Sequence, residues 1–142
     1  MTLEELARQM TAALREERRP PACTDAQIDV ADRAFSKQFG YPLSEAYKRV
    51  LRCANGLKHN GLTVWPIRPH FVFQQTIFEA NDDLRDSFSD QFLYYGQWDE
   101  ELYVFDLERK RYCAIEFVGK PTWVEFDDDL QMFEFMMHRA WD

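Results

Sequence analysis

Four short runs in the second half of the chain set the strongest limit on its fold. Gln91-Phe-Leu-Tyr-Tyr95, Leu102-Tyr-Val-Phe105, Tyr112-Cys-Ala-Ile-Glu-Phe-Val118 and Thr122-Trp-Val-Glu-Phe126 are rich in aromatic and β-branched residues, which read as strands. The links between them, Asp99-Glu100-Glu101, Glu108-Arg-Lys-Arg111 and Gly119-Lys-Pro121, are polar and short. A parallel crossover takes about a dozen residues or more, so links this short favour antiparallel neighbours.

Helical patterns surround these strands. Residues 2–19 form an amphipathic helix with Leu3, Leu6, Ala7, Met10, Ala13 and Leu14 on its apolar stripe and Thr2 with Glu5 as a capping box. Arg15, Arg18 and Arg19 complement its dipole, and Pro20-Pro21 stop it. Thr24 with Gln27 opens a second helix to about Phe39, closed by Gly40, with Ile28, Ala31, Phe35 and Phe39 as its stripe. Tyr41 to Gly56 holds a third, with Leu43, Ala46, Tyr47, Val50, Leu51 and Ala54 on one face. Ser44 caps its start, and Asn55-Gly56 can stop it in a left-handed conformation. Lys58 to Gly61 then reads as a turn and Leu62 to Trp65 as a strand. Pro66 and Pro69 are candidates for a sheet edge, and Phe71 to Phe73 for a strand or a helix start. Residues 74–85 and 129–141 close the list of helices. The expectation is α+β, with an antiparallel sheet of about five to six strands packed with N-terminal helices and a C-terminal helix. No linker or repeat divides the chain, so residues 1–142 read as one domain, with 1–21 a helical extension and 24–142 the core.

This order, with its local motifs, resembles the SUKH superfamily, the SMI/KNR-type domain. Phe39-Gly-Tyr-Pro-Leu-Ser-Glu-Ala-Tyr-Lys-Arg-Val-Leu51 is similar to that family's Leu-Gly, Leu-Pro and aromatic-containing helix. Ser44 stands where the family usually has Pro, and caps a helix as well as Pro starts one. Ala54-Asn-Gly56 is similar to its Asn-Gly stop, and Tyr94-Tyr-Gly96 with Leu102 to Leu107 to its central strand pair. Asp129-Leu-Gln-Met-Phe133 is similar to the start of its last helix. The resemblance spans residues 25–140 and rests on scaffold motifs. It implies an immunity protein that binds and neutralises a cognate polymorphic toxin, as bacterial members commonly do, and many such toxins are nucleases or nucleic-acid deaminases. Fungal members imply the alternative, a non-enzymatic regulatory scaffold.

Charge and motif content bear on chemistry independently. The net charge of −8 argues against direct nucleic-acid binding, which needs Lys and Arg opposite phosphates, and fits a basic protein partner. No apolar run approaches a membrane span, and the N-terminus lacks an apolar signal core. Cys23, Cys53 and Cys113 are odd in number and widely spaced, which fits a reducing cytoplasm. His59, His70 and His138 have no ligand spacing, and a site assembled from His59, His70 and Cys53 is the remaining metal option. Neither a Gly-rich phosphate loop nor a Gly-x-Ser-x-Gly elbow occurs. No catalytic residue, cofactor or metal is therefore expected, and an enzyme is the third reading.

The candidate partner-binding residues are Trp98, Asp99, Glu100, Glu101, Asp82, Asp83, Asp86 and Tyr94, with Tyr95 as a further aromatic anchor. The acids would stand where nucleic-acid phosphates stand on a basic toxin, and the aromatics would supply central binding energy. Two bland readings compete: Glu79 to Asp86 as a solvated helix face, and Asp127 to Asp129 as a helix cap. Phe105, Phe117 and Phe126 are assigned to the core.

Overall fold

The sheet keeps the order of the chain. The computed structural model describes residues 1–118 and 121–142. Among these, six strands pair antiparallel in sequence order: β1 (Leu57–His59), β2 (Leu62–Val64), β3 (Phe92–Trp98), β4 (Glu101–Asp106), β5 (Arg111–Glu116) and β6 (Thr122–Glu125). The helices are α1 (Leu3–Ala12), α2 (Asp25–Phe39), α3 (Glu45–Leu51), α4 (Ile77–Ser87) and α5 (Asp129–Trp141). The α+β expectation holds. Of the expected 119–121 link, Gly119 and Lys120 lie outside the described residues.

Local chemistry fixes most boundaries. Thr24 and Gln27 form the capping box of α2, and Gly40 ends it at φ 79°. Thr76 and Glu79 form a second box that delays α4 to Ile77, past the expected residue 74. The first helix ends at Ala12, well short of residue 19. Arg19 folds back there, its Nε donating to Leu14 O at 3.0 Å and its Nη2 to Ala12 O at 3.1 Å, so it seals the carbonyls of the last turn. Glu16–Arg18 is a separate 3-10 turn.

Two expected stops are corrected. Lys58 and His59 are strand residues, paired with Thr63 and Leu62, because Asn60 (φ 48°) and Gly61 (φ 89°) make the two-residue turn by themselves. Helix α3 ends at Leu51 with a right-handed cap at Arg52, so Asn55-Gly56 is not its stop. Asn55 is instead a buried bracket: its Oδ1 accepts from Ile67 N–H at 3.0 Å and its Nδ2 donates to Arg68 O at 2.9 Å. That bracket holds the loop after β2, which carries Pro66 and Pro69, and Phe71 to Phe73 belongs to the same irregular loop.

Helices α1, α3 and α5 pack together, with α1 also against β1 and α5 against β2 and β5. Leu3, Leu6, Ala7 and Met10 of α1 are buried in the same core as Tyr47, Val50 and Leu51 of α3 and Met132, Phe133, Met136 and Met137 of α5. A bulge in β3 supplies the centre. The register with β4 slips between Tyr94 and Gly96. The slip turns both Tyr95 and Gly96 toward the helices. The Tyr95 ring lies 5.2 Å from Tyr47 and 5.9 Å from Phe133. A Cβ on Gly96 would fall 2.9 Å from Met136 Sδ. Among the described residues no helix is long and apolar enough to cross a membrane.

Candidate partner-binding surface

The β3–β4 hairpin presents the first acid group. Trp98 pairs with Glu101 across a two-residue turn, and Asp99 at its tip is left-handed with φ 55°. Short polar residues such as Asp tolerate that conformation. Asp99 and Glu100 are exposed. Glu101 is not a free carboxylate: its Oε2 accepts from Arg139 Nη1 of α5 at 2.8 Å, with its side chain 15% exposed. Trp98 is half-buried and fixed, its Nε1–H donating to Asn60 O at 3.1 Å.

Arg139 is the organising residue of this end of the sheet. Its guanidinium carbon lies 4.6 Å from the centre of the Trp98 ring, 5.1 Å from Trp123 and 5.4 Å from Phe135. Three rings and one carboxylate therefore hold one cation, each contact favourable for a planar, weakly hydrated guanidinium. The Tyr103 phenol is buried beside the same pair, and that burial raises its pKa. The result is a hairpin tip anchored to α5 through both Trp98 and Glu101.

Asp82, Asp83 and Asp86 form a separate group on the exposed face of α4, with Asp82 accepting from Gln38 Nε2 at 2.7 Å. Asn81 of that helix bonds to Tyr94, and about 13 Å of strand separates Tyr94 from Trp98. The two acid groups thus sit at different points along β3. Tyr94 and Tyr95 are corrected outright, because both side chains are fully buried. The Tyr94 hydroxyl donates to Ser89 O at 2.7 Å, and the Tyr95 hydroxyl accepts from Ser44 N–H at 3.0 Å. They face opposite sides of the sheet across the bulge, and neither reaches a partner.

The remaining acids serve the scaffold. Asp128 caps α5, accepting from Gln131 N–H at 2.8 Å. Asp129 Oδ2 accepts from Ser44 Oγ and from Ala46 N–H, tying the start of α5 to the start of α3. Glu125 pairs with Arg109 at 2.6 Å and with Arg111 at 3.6 Å. A groove of about 640 Å³ runs between these acids and the Arg109-Lys110-Arg111 turn, over Tyr41, Phe105 and Tyr112. His59 packs on Trp141 and His70 on Phe71. Among the described residues no three His, Cys, Asp or Glu side chains converge as metal ligands.

Arg139, Glu116, Phe117, Val118 and Trp123 belong to this end of the molecule and are absent from the expected set. Phe105 and Phe126 are core, as expected, whereas Phe117 is 42% exposed, because β5 ends at Glu116. The sequence signal for Trp123 is weak, since its orientation depends on a bulge in β6 that no turn residue marks. Compared with known protein families the chain matches none, and no curated protein matches it.

Proposed function

We propose that this protein is a SUKH-type immunity protein that binds a basic toxin domain and neutralises it by stoichiometric occlusion, with no turnover. The observation that carries the reading is the anchored acidic hairpin tip: exposed Asp99 and Glu100 on a turn clamped to α5 by Trp98, Glu101 and Arg139. A turn whose neighbours are anchored needs little loop ordering on binding, and exposed carboxylates speed the approach of a cationic partner. The resemblance of residues 25–140 to the superfamily supplies the toxin. Three free thiols fit action in a reducing compartment such as the cytoplasm.

One observation favours a scaffold module as the second reading. Ala26, Val30 and Ala34 on α2, with Ile67 and Phe78, line an apolar groove of about 470 Å³, and Val30 is 59% exposed. A protein with several partners would use such a second surface.

Affinity capture from the native cells, with a moderate-salt wash and mass spectrometry, separates the readings. The immunity reading expects one stoichiometric toxin domain. Asp99→Lys with Glu100→Lys then slows its association by about tenfold at low salt, measured by stopped flow. Recovery of the chain alone overturns it, and several substoichiometric signalling proteins favour the scaffold.

A further inference from the structure

Helix α2 turns two neighbouring ridges of side chains to solvent. Residues four apart along a helix lie on one ridge. The first ridge is Asp25, Asp29, Arg33 and Lys37, and the second is Ala26, Val30, Ala34 and Gln38, all of them exposed. Among the described residues α2 makes ion pairs from Asp25 to Arg52 and from Asp32 to Lys48, and Asp29, Arg33 and Lys37 take part in none. Ala26, Val30 and Ala34 also line the apolar groove that Ile67, Arg68 and Phe78 complete. A charged ridge with three unpaired members therefore runs alongside an open apolar one.

The order along the first ridge is acid, acid, base, base. The helix dipole accounts for its ends, since Asp25 lies in the first turn and Lys37 in the last. It does not account for the middle, because the dipole effect falls off within a turn of each end, and Asp29 and Arg33 lie beyond that. In the reverse direction the ridge is base, base, acid, acid. Two copies of α2 laid antiparallel thus set Asp29 opposite Arg33 and Asp25 opposite Lys37, in both directions at once. A parallel pair sets acid on acid. Such reciprocity is what a two-fold interface requires of its surface.

We propose that this face of α2 binds a second copy of the chain, with the two α2 helices antiparallel about a two-fold axis near the middle of the helix. The Ala26–Val30–Ala34 ridges form the seam, where the small alanines let the backbones approach and each Val30 leaves water. Ridges of this i, i+4 kind interdigitate in the commonest class of helix pair. The Asp29–Arg33 pairs flank the seam, and the second copy's Val30 and Ala34 close the groove. The interface uses none of the hairpin-tip residues, so it stands independently of the immunity reading. It also gives the groove one occupant in place of the several partners of a scaffold.

Sedimentation equilibrium of the full chain, at concentrations up to about 200 μM, tests the proposal. The expected result is a monomer–dimer equilibrium that Val30→Glu shifts to monomer. Asp29→Arg alone and Arg33→Asp alone each weaken the dimer about tenfold, because like charges then face each other across the seam. The exchanged chain, Asp29→Arg with Arg33→Asp, restores acid opposite base, and so does an equimolar mixture of the two single variants. Both recover the wild-type dissociation constant to within about threefold. All three positions are exposed, and the charge exchange keeps the composition of the helix, so recovery is not a folding effect. A monomer at every concentration, a dimer indifferent to Val30→Glu, or a mixture no tighter than its components overturns the proposal. Protection of α2 amides from hydrogen exchange that appears only with a captured partner protein also overturns it, and assigns the groove to that partner.

Discussion

Asn81 completes the sheet where β2 stops short of Tyr94. Its Oδ1 accepts from Tyr94 N–H at 2.8 Å, and its Nδ2 donates to Tyr94 O at 2.9 Å and to Ile77 O at 2.8 Å. β2 pairs only with Gly96 to Trp98, so a side-chain amide on α4 stands in for the missing strand residue. Asn81 is fully buried, and Ala in its place leaves the N–H and C=O of Tyr94 without partners. Asn81→Ala is expected to cost about 2–3 kcal/mol in urea unfolding. A loss below about 0.5 kcal/mol would show that water or a local shift replaces the amide.

Two left-handed glycines separate backbone strain from crowding. At Gly40 (φ 79°) a Cβ would meet nothing within 4 Å. At Gly56 (φ 93°) it would meet Val64 O at 2.7 Å and Phe73 Cζ at 2.8 Å. Gly40→Ala is expected to cost about 1 kcal/mol, the conformational penalty alone. Gly56→Ala is expected to cost about 3 kcal/mol, since a steric term is added. Equal losses in chemical denaturation would contradict the crowding at Gly56.

Glu4 and Arg49 link α1 to α3 through two hydrogen bonds, Nε to Oε2 at 2.7 Å and Nη2 to Oε1 at 2.8 Å. The bond from Arg49 holds the Glu4 carboxyl at about 2, below the usual glutamate value of about 4.3. A carboxyl depressed in the folded state stabilises fully above its unfolded pKa, and the contribution fades as pH falls from about 4.3 toward 2. Both side chains are partly open to water, so the contribution at neutral pH is about 1 kcal/mol. Glu4→Gln should remove that amount at pH 7 and much less at pH 2.5, in urea titrations across the range. An equal loss at both pH values would assign Glu4 a packing role only.

Thiol chemistry follows burial. Cys23 and Cys113 are buried, and desolvation pushes each thiol up to about 11. Cys53 is half-buried and its pKa is also raised by burial. A thiol-specific reagent at pH 8 is expected to label Cys53 slowly in the native protein, and Cys23 and Cys113 only on unfolding. Native labelling of Cys113 would contradict its place in β5.

The elements legible in the sequence are those with local causes. The capping box Thr24–Gln27 and the Gly40 stop act over a few residues and lie where the pattern puts them. The four aromatic strands are present, but β3 runs past the expected Tyr95 to Trp98 and β5 ends at Glu116, short of the expected Val118. What escaped depends on contacts distant in sequence. Arg19 shortens α1 by reaching back to its carbonyls, and Asn55, read as a helix stop, brackets Ile67 and Arg68. The candidate surface was legible in part for the same reason. Trp98, Asp99 and Glu100 lie on one turn, where the turn itself exposes the two acids. Tyr94 and Tyr95 look alike in sequence to exposed anchors, and only the bulge and the helices on either side decide that both are buried. Arg139 and Trp123 come to Trp98 from other elements, and no periodicity announces that meeting.

The chain-ordered sheet also sets a sequence of events in folding. Each hairpin closes over a handful of residues, which is fast. Helix α1 packs on α3 and β1 and also on α5, and Ala12 and Asp129 are more than a hundred residues apart, so its packing completes only with α5 in place. The segment that leads the chain is therefore expected to complete its packing after the hairpins have formed and α5 has found the sheet. Pulsed amide exchange during refolding would show β3, β4 and β5 protected before α1.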